Sequence, residues 1–207
     1  MLGARLRRSR GVAVNEDRPG KKSARRRQPL KATSEALERS ALHYLERYDC
    51  SSGHLRRLLA RKIAISARVH GTDPEEGRAA AERLIARLAD TGILDDARYA
   101  RVRIRGLLAR GTSDAMIRAR LRAKQVPPDL IDAALKEAIG TDPAHELAAA
   151  LRYARRRRLG PFRLCERAER RERDLAALGR QGFDYETARR IIDCSDPQAL
   201  EADAGGG

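Results

Sequence analysis

The chain has 207 residues, of which 35% are charged and only 3% aromatic, with no tryptophan. Ala, Arg and Leu dominate and long β-branched runs are missing, which excludes a sheet protein and one thick aromatic core; the fold class is all-α. The formal net charge of +15 points to a polyanionic partner, because Lys and Arg contacts release counterions from phosphates.

Residues 1–32 carry eleven Lys/Arg against Glu16 and Asp17, a local charge of +9, and the remaining body keeps +6. No apolar period runs through 1–32, so this segment reads as a disordered basic tail, an electrostatic arm or a dispensable extension. The N-terminus lacks the apolar core of a signal peptide, and no run approaches the ~20 apolar residues of a membrane span. Cys50, Cys165 and Cys194 are far apart with no C-x-x-C pair, which suits a reducing cytoplasm.

From Ser34 the pattern becomes helical. Leu37, Ala41, Tyr44, Leu45 and Tyr48 recur at spacings of three and four, forming one apolar stripe. Ser51 and Ser52 are N-cap candidates for a second stripe of Leu55, Leu58, Leu59 and Ile63, which His70-Gly71 ends. Thr72 or Asp73 caps a third helix with Pro74 in its first turn and Ala81, Leu84, Ile85 and Leu88 facing inward; Gly92 stops it.

The three-beat rhythm then returns. Asp95 or Asp96 caps a helix bearing Tyr99, Val102 and Leu108, Ser113 caps one with Ile117 and Leu121, and Pro127-Pro128-Asp129 opens one with Leu130, Ile131, Ala134 and Leu135. A third round starts at Asp142-Pro143 and runs through Leu147, Leu151 and Arg155–Arg158, then Leu175 and Leu178, then Ala188, Ile191 and Ile192. The expected units are 34–92, 93–140 and 141–195, with 196–207 frayed. Three tandem three-helix repeats should stack into an elongated, curved body.

Three segments in order carry a family resemblance. They are A-L-H-Y-L-E-R-Y-D (Ala41–Asp49) with L-R-R-L-L-A-R-K (Leu55–Lys62), then L-D-D-x-x-Y-A and G-T-S-D-A-M-I-R-A-R-L-R-A-K-Q-V between Leu94 and Val126, and L-G-R-Q-G-F-D-Y-E-T-A-R-R-I-I (Leu178–Ile192). Over about residues 36–193 the chain resembles the RecX family, regulators of RecA recombinase. It departs from the pattern at Ile63 and Gln125, where Gly often follows the Lys of the second-helix motif. Further departures are Arg103, where an aromatic is common, Leu107, where a basic residue is common, and a longer link from Ala64 to Asp73.

No P-loop, G-x-G-x-x-G, H-E-x-x-H or G-x-S-x-G occurs, so an enzyme is not expected and no cofactor is required. Asp95-Asp96 reads as capping rather than a metal or acid/base pair. Cys50, His54 and His70 lack the fourth close ligand of a structural zinc. The functional candidates are basic: Arg56, Arg57, Arg61 and Lys62 in the first unit, then Arg101, Arg105, Arg118, Arg120, Arg122 and Lys124 in the second, and Arg155, Arg156, Arg157 and Arg158 in the third. Residues four apart share a helix face, aligning Arg118 with Arg122, Arg120 with Lys124 and Arg101 with Arg105.

Few rings accompany these cations, and Tyr44, Tyr99 and Phe183 read as core, so DNA contact should be to the backbone, with little sequence reading. The resemblance implies a monomer that lodges on the RecA–single-stranded-DNA filament and inhibits ATP hydrolysis and strand exchange, modulating recombination and the SOS response. The alternative is a helix-turn-helix repressor on duplex DNA, which would pair across palindromes. An RNA-binding helical enzyme fails for want of catalytic residues.

Overall fold

Side-chain oxygens placed just before apolar stripes start most of these helices, because the first backbone N–H groups of a helix have no partner within it. Ser51 accepts from the His54 N–H (3.2 Å), Asp73 from Glu75 (2.8 Å), Asp95 from Arg98 (2.8 Å), Ser113 from Met116 (3.2 Å) and Asp184 from Thr187 (2.8 Å). Each such cap contributes about 1 kcal/mol. A computed structural model describes residues 29–140, 142 and 144–205, so the tail expected over 1–32 lies outside the described residues up to position 28.

All regular structure among the described residues is helical. The first set is α1 (Ser34–Leu45), α2 (Ser52–His70) and α3 (Pro74–Asp90), and the second is α4 (Asp96–Leu108), α5 (Asp114–Ala123) and α6 (Pro128–Ile139). The third is α7 (His145–Arg157), a 3-10 turn (Gly160–Phe162), α8 (Arg171–Gly179) and α9 (Tyr185–Ile192), followed by α10 (Pro197–Gly205).

Each set buries its own apolar cluster. Leu37, Leu55, Leu59, Ile63 and Ile85 centre the first, Ile104, Ile117, Leu121, Ile131 and Leu135 the second, and Leu151, Leu178, Ile191 and Ile192 the third. Packing is concentrated within sets: α2 lies on α3, α4 on α6, and α8 on α9.

Several local expectations change. Val102 is 55% exposed, and the inward face of α4 is instead Tyr99, Ala100 and Ile104. Tyr48 lies beyond the end of α1 and is exposed. As expected, Ile63 lies in the first core and Gly71 ends α2, so the Ala64–Asp73 link is helix as far as His70. Residues 197–205, expected to fray, form α10, because Leu200 buries into the third core and the Asp196 carboxylate accepts from the Gln198 N–H (2.9 Å). Residues 29–32 are held rather than free, with the Ala32 N–H donating to Ser66 Oγ (2.9 Å) and the His70 Nε2 lying 2.6 Å from the Pro29 carbonyl.

The two junctions between sets are built alike. At the first, the buried Ser51 hydroxyl donates to the Lys124 carbonyl beyond α5, while the Ser52 N–H donates to Asp96 of α4 (2.7 Å). At the second, the buried Ser113 hydroxyl donates to the Gln181 carbonyl beyond α8, while the Asp114 N–H donates to Glu146 of α7 (3.4 Å). Asp96 is thus a junction residue and Asp95 the cap. Backbones meet closely at the first junction: a Cβ on Gly53 would fall 2.7 Å from the Gln125 carbonyl oxygen and 2.4 Å from its Cβ.

Gln125 is left-handed (φ 58°), in the place three residues before a third helix where the other sets have Gly71 (φ 66°) and Gly182 (φ 86°). A side chain there costs about 1–2 kcal/mol, against roughly 0.5–1 kcal/mol of extra chain entropy for glycine. Gln125→Gly should therefore stabilise the chain by about 1 kcal/mol, read as a higher urea midpoint with an unchanged slope.

Candidate nucleic-acid interface

The second set turns four of its cations towards one groove. On α4, Tyr99, Ala100 and Ile104 face the core, which leaves Val102, Arg103 and Gly106 on the outer face. On α5, Ile117 and Leu121 face the core, which leaves Arg120 on the outer face, and Lys124, the residue that ends the helix, lines the same groove. Between the helices lies an open cleft of about 570 Å³. Val102, Leu107 and Leu121 contribute its apolar floor; Arg103, Arg110, Arg120 and Lys124 its rim; no acidic residue lines it. Arg103 lies over the Tyr99 ring, 5.6 Å from the centroid, which orients its guanidinium.

The groove continues into the first set across the junction. Arg57 Nη2 donates to the Ala123 carbonyl (3.2 Å) and lies 3.3 Å from His54 Nδ1, so this α2 cation stands next to Lys124. His54 reports the local potential: burial pushes its pKa down, and the charges of Lys124 and Arg57 push it further in the same direction. The imidazole is therefore neutral at pH 7.

Other candidate cations are committed internally. Arg56 forms a two-pronged pair with Glu82 (2.6 and 2.9 Å). Arg118 Nε donates to Asp132 (2.9 Å) and Nη1 lies 3.9 Å from Asp114, which turns it away from Arg122. Arg155 pairs with Glu201 and lies over Phe162, and Arg156 lies over Tyr153. Arg158 is left-handed (φ 54°) and ends α7, with Arg157 exposed before it.

Arg101 and Arg105 do align, but on the face of α4 beside α6, where they line a cleft with Ala134, Glu137 and Ala138 of that helix. Lys62 lines a separate cleft with Pro29–Ala32. Arg61 and Arg122 are exposed and form no ion pair among the described residues. The structure therefore brings together Arg57, Arg120 and Lys124, and adds Arg103 and Arg110. The latter two were legible as an outer row with Leu107, at spacings of four and three.

Cys50, His54 and His70 do not converge. His54 Nε2 lies 3.1 Å from Tyr44 Oη, and His70 is sixteen residues along α2, about 24 Å at the helical rise. The Cys50 thiol is pushed up to about 11 by burial, with Asp49 and Asp96 adding to it, so it resists the deprotonation that a metal requires. Tyr99 and Phe183 are buried as expected, Tyr44 is half-buried, and Tyr185 is exposed on α9, away from the groove. No helix among the described residues is long and apolar enough to cross a membrane.

Comparison with known proteins gives consistent matches. Residues 95–135, spanning α4 to α6, match the family model described as RecX, second three-helix domain. The regulatory protein RecX of Myxococcus xanthus is 41% identical over 178 residues, covering 84% of this chain and 94% of that protein. The proteins of the same name from Agrobacterium fabrum and Halorhodospira halophila are 27% and 32% identical, covering 83% and 80% of this chain and 91% of each relative.

Proposed function

The chain belongs to the RecX family of regulatory proteins, and from that premise we propose that it binds the RecA–single-stranded-DNA filament in the cytoplasm and inhibits its ATPase and strand-exchange activities. It acts through three units, 34–92, 93–140 and 141–195, with the groove of the second as the main contact. One observation carries this reading: Arg103, Arg110, Arg120 and Lys124 line one cleft without an acid among them, and Arg57 extends that charge across a junction. Such a track suits a phosphate backbone followed along its length. With no exposed ring lining the groove to stack on bases, contact is electrostatic and reads little sequence.

The test is RecA-dependent ATP hydrolysis on single-stranded DNA, with and without the full chain, over a range of salt. Hydrolysis should fall when the chain is added, and the effect should weaken as salt rises, with binding losing about 0.7 log units per phosphate contact for each decade of salt. Deleting residues 1–28 removes +8 of charge; it should flatten that slope while inhibition persists at low salt. Unchanged hydrolysis at low salt with the full chain would overturn the proposal.

A further inference from the structure

The second junction gathers a set of side chains that the basic groove does not use. Asp114 is the first residue of α5, and His145 and Glu146 begin α7. Their side chains are 18%, 24% and 26% exposed. His145 Nε2 lies 3.1 Å from Asp114 Oδ2 and 3.7 Å from Glu146 Oε2, and one ligand atom from each residue lies within 4.8 Å of the others.

Two features go beyond proximity. His145 Nδ1 is 2.8 Å from the Asp142 carbonyl, which can only accept, so Nδ1 carries the proton. When the ring is neutral, Nε2 points a lone pair at two carboxylates, a contact that either a second ring proton or a metal cation must bridge. A ring nitrogen tied to a backbone carbonyl while its partner faces carboxylates is the orientation that metal-bound histidines adopt. Independently, Asp114 Oδ1 is buried with no hydrogen-bond partner among the described residues. An orphaned carboxylate oxygen is costly, and an ion held at Oδ2 can be chelated by this second oxygen as well.

The spacing also fits. Tetrahedral zinc with bonds of about 2.0–2.1 Å holds its ligand atoms about 3.3–3.4 Å apart, between the two distances from His145. Asp184 adds further negative charge near Glu146. Arg118 is the opposing cation, but its Nε is bound to Asp132, and only Nη1 reaches within 3.9 Å of Asp114. The donor set of one imidazole and two carboxylates suits a borderline divalent transition metal.

We propose that Asp114, His145 and Glu146 form a binding site for a divalent transition-metal ion such as Zn²⁺, which clamps the start of α5 to the start of α7. The ion would tie the second set to the third, reinforcing the Ser113–Gln181 and Asp114–Glu146 hydrogen bonds, and so stiffen the angle between them. A water completes its coordination on the solvent side.

The test uses the full chain and Co²⁺ as a spectroscopic probe, with Zn²⁺ as competitor. Expected are uptake of one Co²⁺ with visible d–d absorption, displacement by Zn²⁺, and a Zn²⁺-dependent rise in melting temperature. His145→Gln and Glu146→Gln should each weaken binding by roughly a hundredfold, at the upper end of what losing even a supporting partner does. Glu146→Gln keeps an acceptor for the Asp114 N–H, so its circular dichroism should match the parent even if His145→Gln perturbs the junction. Cys165→Ser and Cys194→Ser should leave uptake unchanged. The proposal is overturned by no Co²⁺ uptake, by uptake indifferent to both ligand variants, or by a thiolate charge-transfer band that the cysteine changes remove. A melting temperature that follows pH but not metal would show that a proton alone bridges the three groups.

Discussion

Asp174→Ala should destabilise the chain by about 3–5 kcal/mol, the size expected when one member of a buried, hydrogen-bonded charge pair is removed. Asp174 is on α8 and only 2% exposed. Arg163 grips it with two prongs, Nη2 to Oδ1 (2.7 Å) and Nε to Oδ2 (3.1 Å), and the Gly160 N–H donates to Oδ2 (2.9 Å). These bonds lash the irregular 158–170 stretch to α8, whose own start has no side-chain cap. Truncation strands the Gly160 N–H and a guanidinium that is 23% exposed. Since a domain of this size has only about 5–15 kcal/mol in hand, α7 to α10 should lose protection from hydrogen exchange before the other sets.

The same group should give an acid transition. Burial pushes the Asp174 pKa up, but the bonds from Arg163 and Gly160 more than offset that and hold it below the ordinary value. A depressed folded pKa contributes stability above the unfolded value of about 3.9 that is lost as pH falls through the folded value. The parent should therefore weaken below about pH 4, and Asp174→Asn should lack that component. Urea unfolding followed by circular dichroism at pH 7 and pH 3 measures both. A loss under about 1 kcal/mol at pH 7 would place this pair among exposed, weakly contributing ion pairs.

Arg103→Glu, Arg120→Gln and Lys124→Gln together should abolish the proposed inhibition of RecA-dependent ATP hydrolysis while leaving the chain folded. All three side chains line the groove and form no ion pair among the described residues, so stability should move by no more than about 0.5 kcal/mol per site. Gln is chosen at 120 and 124 because an acid at the end of α5 would oppose the helix dipole. The contrast is Arg56→Gln with Arg118→Gln, whose guanidinia are spent on Glu82 and Asp132. These should cost about 0.2–1 kcal/mol each as exposed pairs and leave inhibition intact. If both sets of changes affect inhibition equally, general charge rather than the groove carries the activity.

The three-helix rhythm and the caps at Ser51 and Ser113 were legible because they are local. A cap acts across two or three residues and an apolar stripe across three or four, distances that the sequence itself displays. Where two neighbours competed for a role, it could not choose. Asp95 rather than Asp96 caps α4 only because Asp96 is drawn to the Ser52 N–H, forty-four residues away. In the same way Asp73, not Thr72, caps α3, since Thr72 bonds to Ser66.

Helix pairing alone decided the rest. Periodicity put Val102 inside, but α4 packs on α6 through the row of Tyr99, Ala100 and Ile104, and that rotation carries Val102 and Arg103 to the groove. Spacing aligned Arg118 with Arg122, yet Asp132 on α6 takes Arg118 out of the exposed row. The sequence by itself therefore determined helical content, the repeat and an excess of cations. Which cations share a surface depends on contacts such as Arg57 to Ala123 and Ser113 to Gln181, sixty-six and sixty-eight residues apart. Those partners meet only once the sets have stacked, because no local rule on one helix encodes the face that its neighbour will cover.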